Sequence, residues 1–87
     1  MPTQLIVDVK QGEDLQHRFT YHPPQPGQAE AYVLIRQKAL ELANLLAHLV
    51  KPNREHSLAQ TKLEEAVMWA NASIARNGLR ESEAANG

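Results

Sequence analysis

Apolar residues recur in steps of three and four on both sides of the segment Lys51-Pro52-Asn53. This spacing keeps side chains on one face of an α-helix turn after turn, so each stretch is predicted to be a long helix. The first stripe contains Tyr32, Ile35, Ala39, Leu42, Leu46 and Leu49, and the second contains Ala59, Leu63, Ala66, Val67, Ala70 and Ile74. A connection of about three residues forces the two helices to run antiparallel. The sequence therefore predicts an all-α fold built on an antiparallel two-helix hairpin.

A few residues set the ends of the predicted helices. Pro52 disfavours helical geometry at the residue before it. Asn53 is suited to cap the next helix, and Ser57 is a competing cap one turn later. Gly78 follows an asparagine and is typical of a helix end, because glycine accepts left-handed backbone geometry. The helices are expected to cover Gln28–Val50 and Arg54–Asn77.

The N-terminal part of the chain gives a weaker pattern. Residues 1–12 include a strand-like apolar run with no obvious partner strand, so they are either a flexible arm or a segment that packs on a neighbour. Glu13–Phe19 is long enough for one or two helical turns, so the N-terminal segment is expected to be short and helical or extended. Three prolines within residues 23–26 then exclude a continuous helix and stiffen the backbone. The predicted units are an N-terminal arm and proline-rich strap (1–27), the hairpin (28–77) and a disordered tail (78–87).

Both predicted helices are also apolar on a second face. At about 100° per residue, this face carries Val33, Leu40 and Ala47 on the first helix, and Leu58, Met68, Trp69 and Ala72 on the second. One hairpin cannot bury both faces. Because burying a large apolar side chain contributes about 1.5–3 kcal/mol, leaving the second face in water would forfeit much of the stability of a small domain. Assembly into a homo-oligomer is the expected solution. The interface is expected to contain Leu40, Leu58, Met68 and Trp69.

Composition narrows the class of protein. The chain has 87 residues and no cysteine, so disulfides and thiolate metal sites cannot supplement its thin core, and partner subunits are expected to do so. A net charge of −1 argues against a protein that coats DNA. No apolar run approaches the roughly 20 residues that a membrane helix needs, so no membrane contact is expected.

Catalytic and metal-binding patterns are not found in the sequence. No spacing among His17, His22, His48 and His56 places two of them on one helical face as a metal site requires. No arrangement suggests an activated nucleophile, and there is no glycine-rich phosphate loop. We therefore expect a protein that is not an enzyme and that uses no metal or cofactor.

Three side chains remain as candidates for ligand binding. Arg36 and Arg76 border the second apolar face. Each either lays its stem on apolar surface with its head in water, or is gathered with its copies around an anion by oligomerisation. Tyr21, followed by stiff proline backbone, suits stacking on a nucleobase, but together with Phe19 it would equally cap the end of the hairpin core. The residues alone leave both pairs of alternatives open.

Long stretches of the chain resemble a known family. The run Arg54–Asn77, most specifically its Lys62–Asn77 part, is similar to the second helix of the phage anti-CBASS and anti-Thoeris sponge proteins. Residues 18–24, with the sequence Arg-Phe-Thr-Tyr-His-Pro-Pro, are also similar. The resemblance covers about residues 18–77 and is closest to the anti-CBASS branch. His56 and Gln60 depart from the pattern, where a lysine and an aliphatic residue are expected.

The resemblance implies a function that the residues alone do not name. It implies a phage anti-defence protein that binds cyclic oligonucleotide second messengers in pockets between subunits of a homohexamer. Cyclic dinucleotides such as cyclic GMP-AMP, and cyclic trinucleotides as a second class, would thus be kept from CBASS effectors in the cytoplasm of the infected bacterial host. The alternative is a helical assembly or protein-interaction module that is not an enzyme and has no nucleotide ligand.

The resemblance also assigns expected roles to individual residues. Tyr21 matches a tyrosine that stacks on the base of a cyclic dinucleotide, with His22 beside it. Arg36 or Lys38 matches the basic residue that meets a phosphate. Arg76 is the candidate for a separate cyclic-trinucleotide pocket near a symmetry axis.

Overall fold

The computed structural model describes residues 9–81 of the chain. This part contains three helices and no strand: α1 (Val9–Phe19), α2 (Gln28–Leu49) and α3 (Arg54–Asn77). Of the three, only α2 and α3 pack extensively on each other. The prediction of an all-α chain with a helical hairpin is therefore confirmed for the described residues, and none of their helices could cross a membrane.

The first helix is longer than the sequence predicts. α1 begins at Val9 rather than at Glu13 and runs for 11 residues. Gly12 lowers the intrinsic helix propensity of the first turn, which hides that turn from sequence reasoning. The Arg18 Nε atom lies 3.3 Å from an Asp14 carboxylate oxygen, a spacing of four residues that supports the helix. The strand-like run before Val9 lies outside the described residues, as do residues 82–87 of the predicted tail.

The ends of α2 and α3 follow local chemistry. The Asn53 side chain accepts a hydrogen bond from the His56 backbone N–H at 2.8 Å, so Asn53 caps α3. Ser57 already lies within the first turn of that helix. The Val50 N–H closes α2 by donating to the Leu46 carbonyl at 2.8 Å. The hairpin therefore turns over the few residues around Pro52 that the sequence indicates.

Packing between α2 and α3 leaves the hairpin without a closed core. No apolar side chain in the described part is fully buried. The half-buried residues at the contact are Tyr32, Ile35, Ala39, Ala43 and Leu46 from α2, with Leu63, Val67, Ala70 and Ile74 from α3. Leu42 and Leu49 were predicted on the same stripe, but they remain 44% and 74% exposed. Small alanines bring the helices close, but one layer of contact cannot enclose the larger side chains.

Large apolar side chains remain exposed on both flanks of the hairpin. The predicted interface residues Leu40, Leu58, Met68 and Trp69 are 62%, 42%, 62% and 68% exposed in the single chain. Leu34 and Leu45 are also exposed, at 55% and 52%, although they lie outside both predicted apolar faces. Assembly of several chains stays a prediction, and this surface is the physical reason for it.

Candidate functional site

The C-terminal end of α1 fixes one side of the strap, which we define as residues 20–27. The Thr20 hydroxyl donates to the Gln16 carbonyl, and the His22 Nε2 atom lies 2.7 Å from the His17 carbonyl oxygen. The two imidazole rings also meet edge to face, with centroids 4.6 Å apart. These contacts satisfy carbonyls that the end of a helix leaves without partners. They hold both neighbours of Tyr21, whose own side chain is 79% exposed.

The other end of the strap is fixed by two glutamines. The Gln25 N–H donates to the Gln28 side-chain oxygen at 3.0 Å, and the Gln28 N–H donates to the Gln25 carbonyl at 3.0 Å. The Gln25 side chain donates in turn to the Pro23 carbonyl at 3.1 Å. From the same Gln28 amide, Nε2 donates to the Ile74 carbonyl of α3 at 3.2 Å. The strap is therefore hydrogen-bonded to the hairpin as well as to α1.

Gln28 is buried at this junction. It is 3% exposed, and it is the only residue of the described part classed as buried. Gly27 just before it has φ of 84°, a left-handed turn that glycine accommodates. A Cβ at Gly27 would lie 3.5 Å from the Leu79 Cδ1 atom, so the chain beyond α3 packs against the strap. Sequence reasoning missed Gln28, because a polar residue in the first turn of a helix is ordinarily exposed.

Two open grooves run along opposite sides of the hairpin. One has a volume of about 350 Å³ and the other about 320 Å³. The first is lined by Ala39, Leu40, Ala43, Gln60, Thr61, Leu63, Glu64 and Val67. The second is lined by Ile35, Lys38, Ala39, Leu42, Leu63, Ala66, Val67 and Ala70. Both are shallow surfaces of one chain, and neither encloses a ligand of nucleotide size by itself.

The candidate cations of α2 lie on different sides of it. Lys38 lines the second groove, whereas Leu40, one turn after Arg36, lines the first. Residues two apart on a helix point about 160° away from each other, so Arg36 and Lys38 do not serve one pocket of the same chain. The two candidates for one phosphate contact are therefore alternatives.

The basic side chains of the hairpin also differ in whether a carboxylate is paired with them. The Lys38 ammonium lies 3.6 Å from the Glu41 carboxylate, and Lys62 lies 3.4 Å from Glu65. Within residues 9–81, no carboxylate pairs with the guanidinium of Arg36 or Arg76. An unpaired guanidinium keeps its donor fork available for an anion.

The structure brings some predicted site residues together and separates others. Arg76 is half-buried and lies two residues after Ile74, so it shares the strap end of the hairpin. Arg36 is exposed and lies eight residues after Gln28, about 12 Å along the axis of α2. No group of three or more histidine or acidic side chains in the described part could hold a metal ion.

Comparison with known proteins places the chain in a family. The family model for the Acb2/Tad1 hairpin domain matches residues 11–75, which include most of α1, the strap and nearly all of the hairpin. Searches of curated proteins and of solved structures returned no match. The match covers about three-quarters of the 87 residues. The chain therefore belongs to the Acb2/Tad1 hairpin family.

Proposed function

We propose that the protein binds cyclic oligonucleotide second messengers and sequesters them from the effectors of bacterial defence. The observation that carries this proposal is the exposed Tyr21 ring on a strap that is hydrogen-bonded at both ends, in a chain of the Acb2/Tad1 family. A sequestering protein needs tight binding and sufficient copies but no chemistry, which agrees with the absence of a catalytic pattern in the sequence. We assign it no enzymatic activity.

Tyr21 and Arg36 supply the two contacts that a cyclic dinucleotide needs. Stacking on an aromatic ring contributes about 1–3 kcal/mol per base. The ring of a cyclic dinucleotide carries two negative phosphates, and an arginine fork matches phosphate oxygens in geometry. Arg36 is preferred over Lys38 because Lys38 is already paired with Glu41. His22 holds the backbone next to Tyr21 and contributes to the same site.

The pocket is proposed to form between chains. Each groove of a single chain is open, and the apolar side chains beside it remain in water. A second copy would cover Leu40 and Met68 and would place its own strap or cation across the groove. A homohexamer, as the family resemblance implies, would create several such pockets. Arg76 is proposed to serve a separate pocket for cyclic trinucleotides in that assembly, and the site of action would be the cytoplasm of a phage-infected bacterium.

Ligand retention tests this function directly. Purified protein is mixed with each of a panel of cyclic di- and trinucleotides, including cyclic GMP-AMP. Unbound ligand is removed by filtration, and heating the protein then releases whatever was retained. The wild-type protein is expected to retain at least one cyclic dinucleotide and to release it intact. Tyr21→Ala is expected to lose this retention while the mass of the oligomer stays the same.

Arg36 and Lys38 form a matched pair for the phosphate contact. Arg36→Ala is expected to weaken retention of the dinucleotide strongly, whereas Lys38→Ala on the opposite side of α2 is expected to change it little. Arg76→Ala is expected to affect cyclic trinucleotides selectively. If the wild-type protein retains no member of the panel, the alternative of a helical assembly or protein-interaction module without a nucleotide ligand is favoured.

A further inference from the structure

We infer that Gln28 is the positioning residue of the ligand site, because its side-chain amide fixes the strap that carries Tyr21 against the end of α3. The effect of Gln28 on ligand binding rests on the proposed function. The attachment of the strap to α3 does not, because its hydrogen bonds are present in the free protein. At 3% exposed, Gln28 offers almost no surface to a ligand, so its effect is expected to pass through the backbone of the strap.

The two ends of the Gln28 amide join two parts of the molecule. Its oxygen accepts from the Gln25 N–H at 3.0 Å, and its nitrogen donates to the Ile74 carbonyl at 3.2 Å. The Ile74 carbonyl also accepts from the Gly78 N–H at 2.8 Å. Gln28 is 3% exposed, so water cannot easily replace these bonds. The amide therefore fixes the strap at the place where α3 ends.

The strap can transmit this attachment to Tyr21. Only three residues lie between Tyr21 and Gln25, and two of them are Pro23 and Pro24. Proline fixes one backbone angle per residue, and such a segment extends about 3.1 Å per residue. The Tyr21 backbone consequently lies within roughly 12 Å of the Gln25 backbone. A stiff segment of that length keeps Tyr21 in a fixed position relative to Gln25, whereas a flexible loop would not.

The remaining attachments of the strap are of other kinds. The Gln28 N–H donates to the Gln25 carbonyl at the start of α2, and Leu79 lies beside Gly27, but neither is a hydrogen bond to α3. Thr20 and His22 bind carbonyls of α1, but α1 itself packs little on the hairpin within residues 9–81. Those bonds fix Tyr21 relative to α1 and not relative to α2 and α3. The bond between Gln28 and Ile74 is a direct hydrogen bond from the strap junction to α3. Without it, α1 and the strap are expected to move together relative to the hairpin.

Two variants of Gln28 separate the two bonds. Gln28→Met keeps the length of the side chain and removes both hydrogen bonds. Gln28→Glu keeps an acceptor for the Gln25 N–H but removes the donor to the Ile74 carbonyl. Gln37→Met serves as the control, because Gln37 lies on the same helix and is exposed. Circular dichroism and a mass measurement first confirm that each variant is folded and assembled like the wild type.

The deciding measurements are amide hydrogen exchange at Gln25 and ligand affinity. Gln28→Met is expected to speed exchange at the Gln25 N–H, Gln28→Glu to keep it slow, and Gln37→Met to leave it unchanged. If the strap then occupies its bound position about one-tenth of the time, affinity for a cyclic dinucleotide falls about tenfold. Wild-type exchange and affinity in Gln28→Met would overturn the inference. A wild-type protein that binds no cyclic nucleotide would overturn the proposed function instead, and the exchange rates would still decide the role of Gln28.

Discussion

The Nε2 atom of Gln60 lies 3.2 Å from the Nε2 atom of His56, one turn earlier on α3. The same amide nitrogen donates to the Ala43 carbonyl of α2 at 3.0 Å. His56 and Gln60 are the two positions at which the resemblance led us to expect a lysine and an aliphatic residue. Their contact indicates that the two residues form one polar link between the helices near the turn of the hairpin.

Replacing Gln60 tests what this link contributes to stability. In Gln60→Leu, the loss of a hydrogen bond worth about 1 kcal/mol is offset by apolar burial against α2, so the free energy of unfolding is expected to change little. In Gln60→Glu, a carboxylate faces the Ala43 carbonyl oxygen, and a loss of about 1–3 kcal/mol is expected. Urea denaturation followed by circular dichroism measures both. Equal stability of the two variants would contradict the assignment of Gln60 as a donor to Ala43.

The same geometry predicts the tautomer of His56. A glutamine amide has two N–H groups, and here one is directed to the Ala43 carbonyl and the other to the His56 ring. The His56 Nε2 atom must then accept, so its proton lies on Nδ1. Nitrogen chemical shifts of the ring are expected to show the Nδ1–H form at neutral pH, and Gln60→Leu is expected to shift the population toward Nε2–H. An Nε2–H form in the wild-type protein would show that the amide is oriented differently.

Sequence reasoning succeeded where a pattern repeats and failed where a single contact decides. The stripe from Tyr32 to Leu46 repeats over several turns, so α2 could be predicted nearly to its ends. The cap at Asn53 was one of two alternatives, and the bond to the His56 N–H identifies it. The burial of Gln28 depends on the Ile74 carbonyl, 46 residues further along the chain, so no sequence pattern near position 28 could indicate it.

The candidate site was foreseeable only in part, for the same reason. Tyr21 and Arg36 could be selected because their side-chain chemistry suits a nucleotide. The resemblance favoured Arg36 over Lys38, but the sequence could not show that the two side chains border different sides of α2 or that Lys38 pairs with Glu41. It also could not show how the strap is attached.

Removing the cap of α3 is expected to weaken the hairpin. Asn53→Ala deletes the acceptor for the His56 N–H, and loss of such a cap costs about 1 kcal/mol. Asn44→Ala is the control for the same change inside a helix, because Asn44 is exposed in the middle of α2, and there alanine should raise the midpoint slightly through its higher helix propensity. Thermal unfolding compares both variants with the wild type. A midpoint for Asn53→Ala no lower than that of the wild type would argue that Ser57 takes over as the cap.

The two glycines with positive φ are expected to differ in their tolerance of alanine. Gly78 has φ of 85° and ψ of 175°, a region that essentially only glycine adopts, so Gly78→Ala is expected to cost about 1–3 kcal/mol. Gly27 has φ of 84° and ψ of −15°, closer to the left-handed helical region, where the penalty for other residues is about 1–2 kcal/mol. The new Cβ at Gly27 would meet Leu79 at an ordinary contact distance of 3.5 Å. Thermal unfolding should therefore rank Gly78→Ala as less stable than Gly27→Ala, and the reverse order would be inconsistent with these backbone angles.

The single tryptophan provides a direct test of assembly. Trp69 is 68% exposed in the isolated chain, so a monomer would show the long-wavelength fluorescence of an indole in water. If Trp69 lies between chains as predicted, its emission at working concentration is expected at shorter wavelength and should shift toward the red on dilution. Trp69→Ser is expected to lower the oligomer mass, because it removes a large apolar anchor from the interface. Trp69→Phe keeps a large apolar ring at the same position and should leave the mass nearly unchanged. Solvent-exposed emission at every concentration, together with an unaltered mass for Trp69→Ser, would place the contact between chains elsewhere, with the exposed Leu34 and Leu45 of α2 as the next residues to substitute.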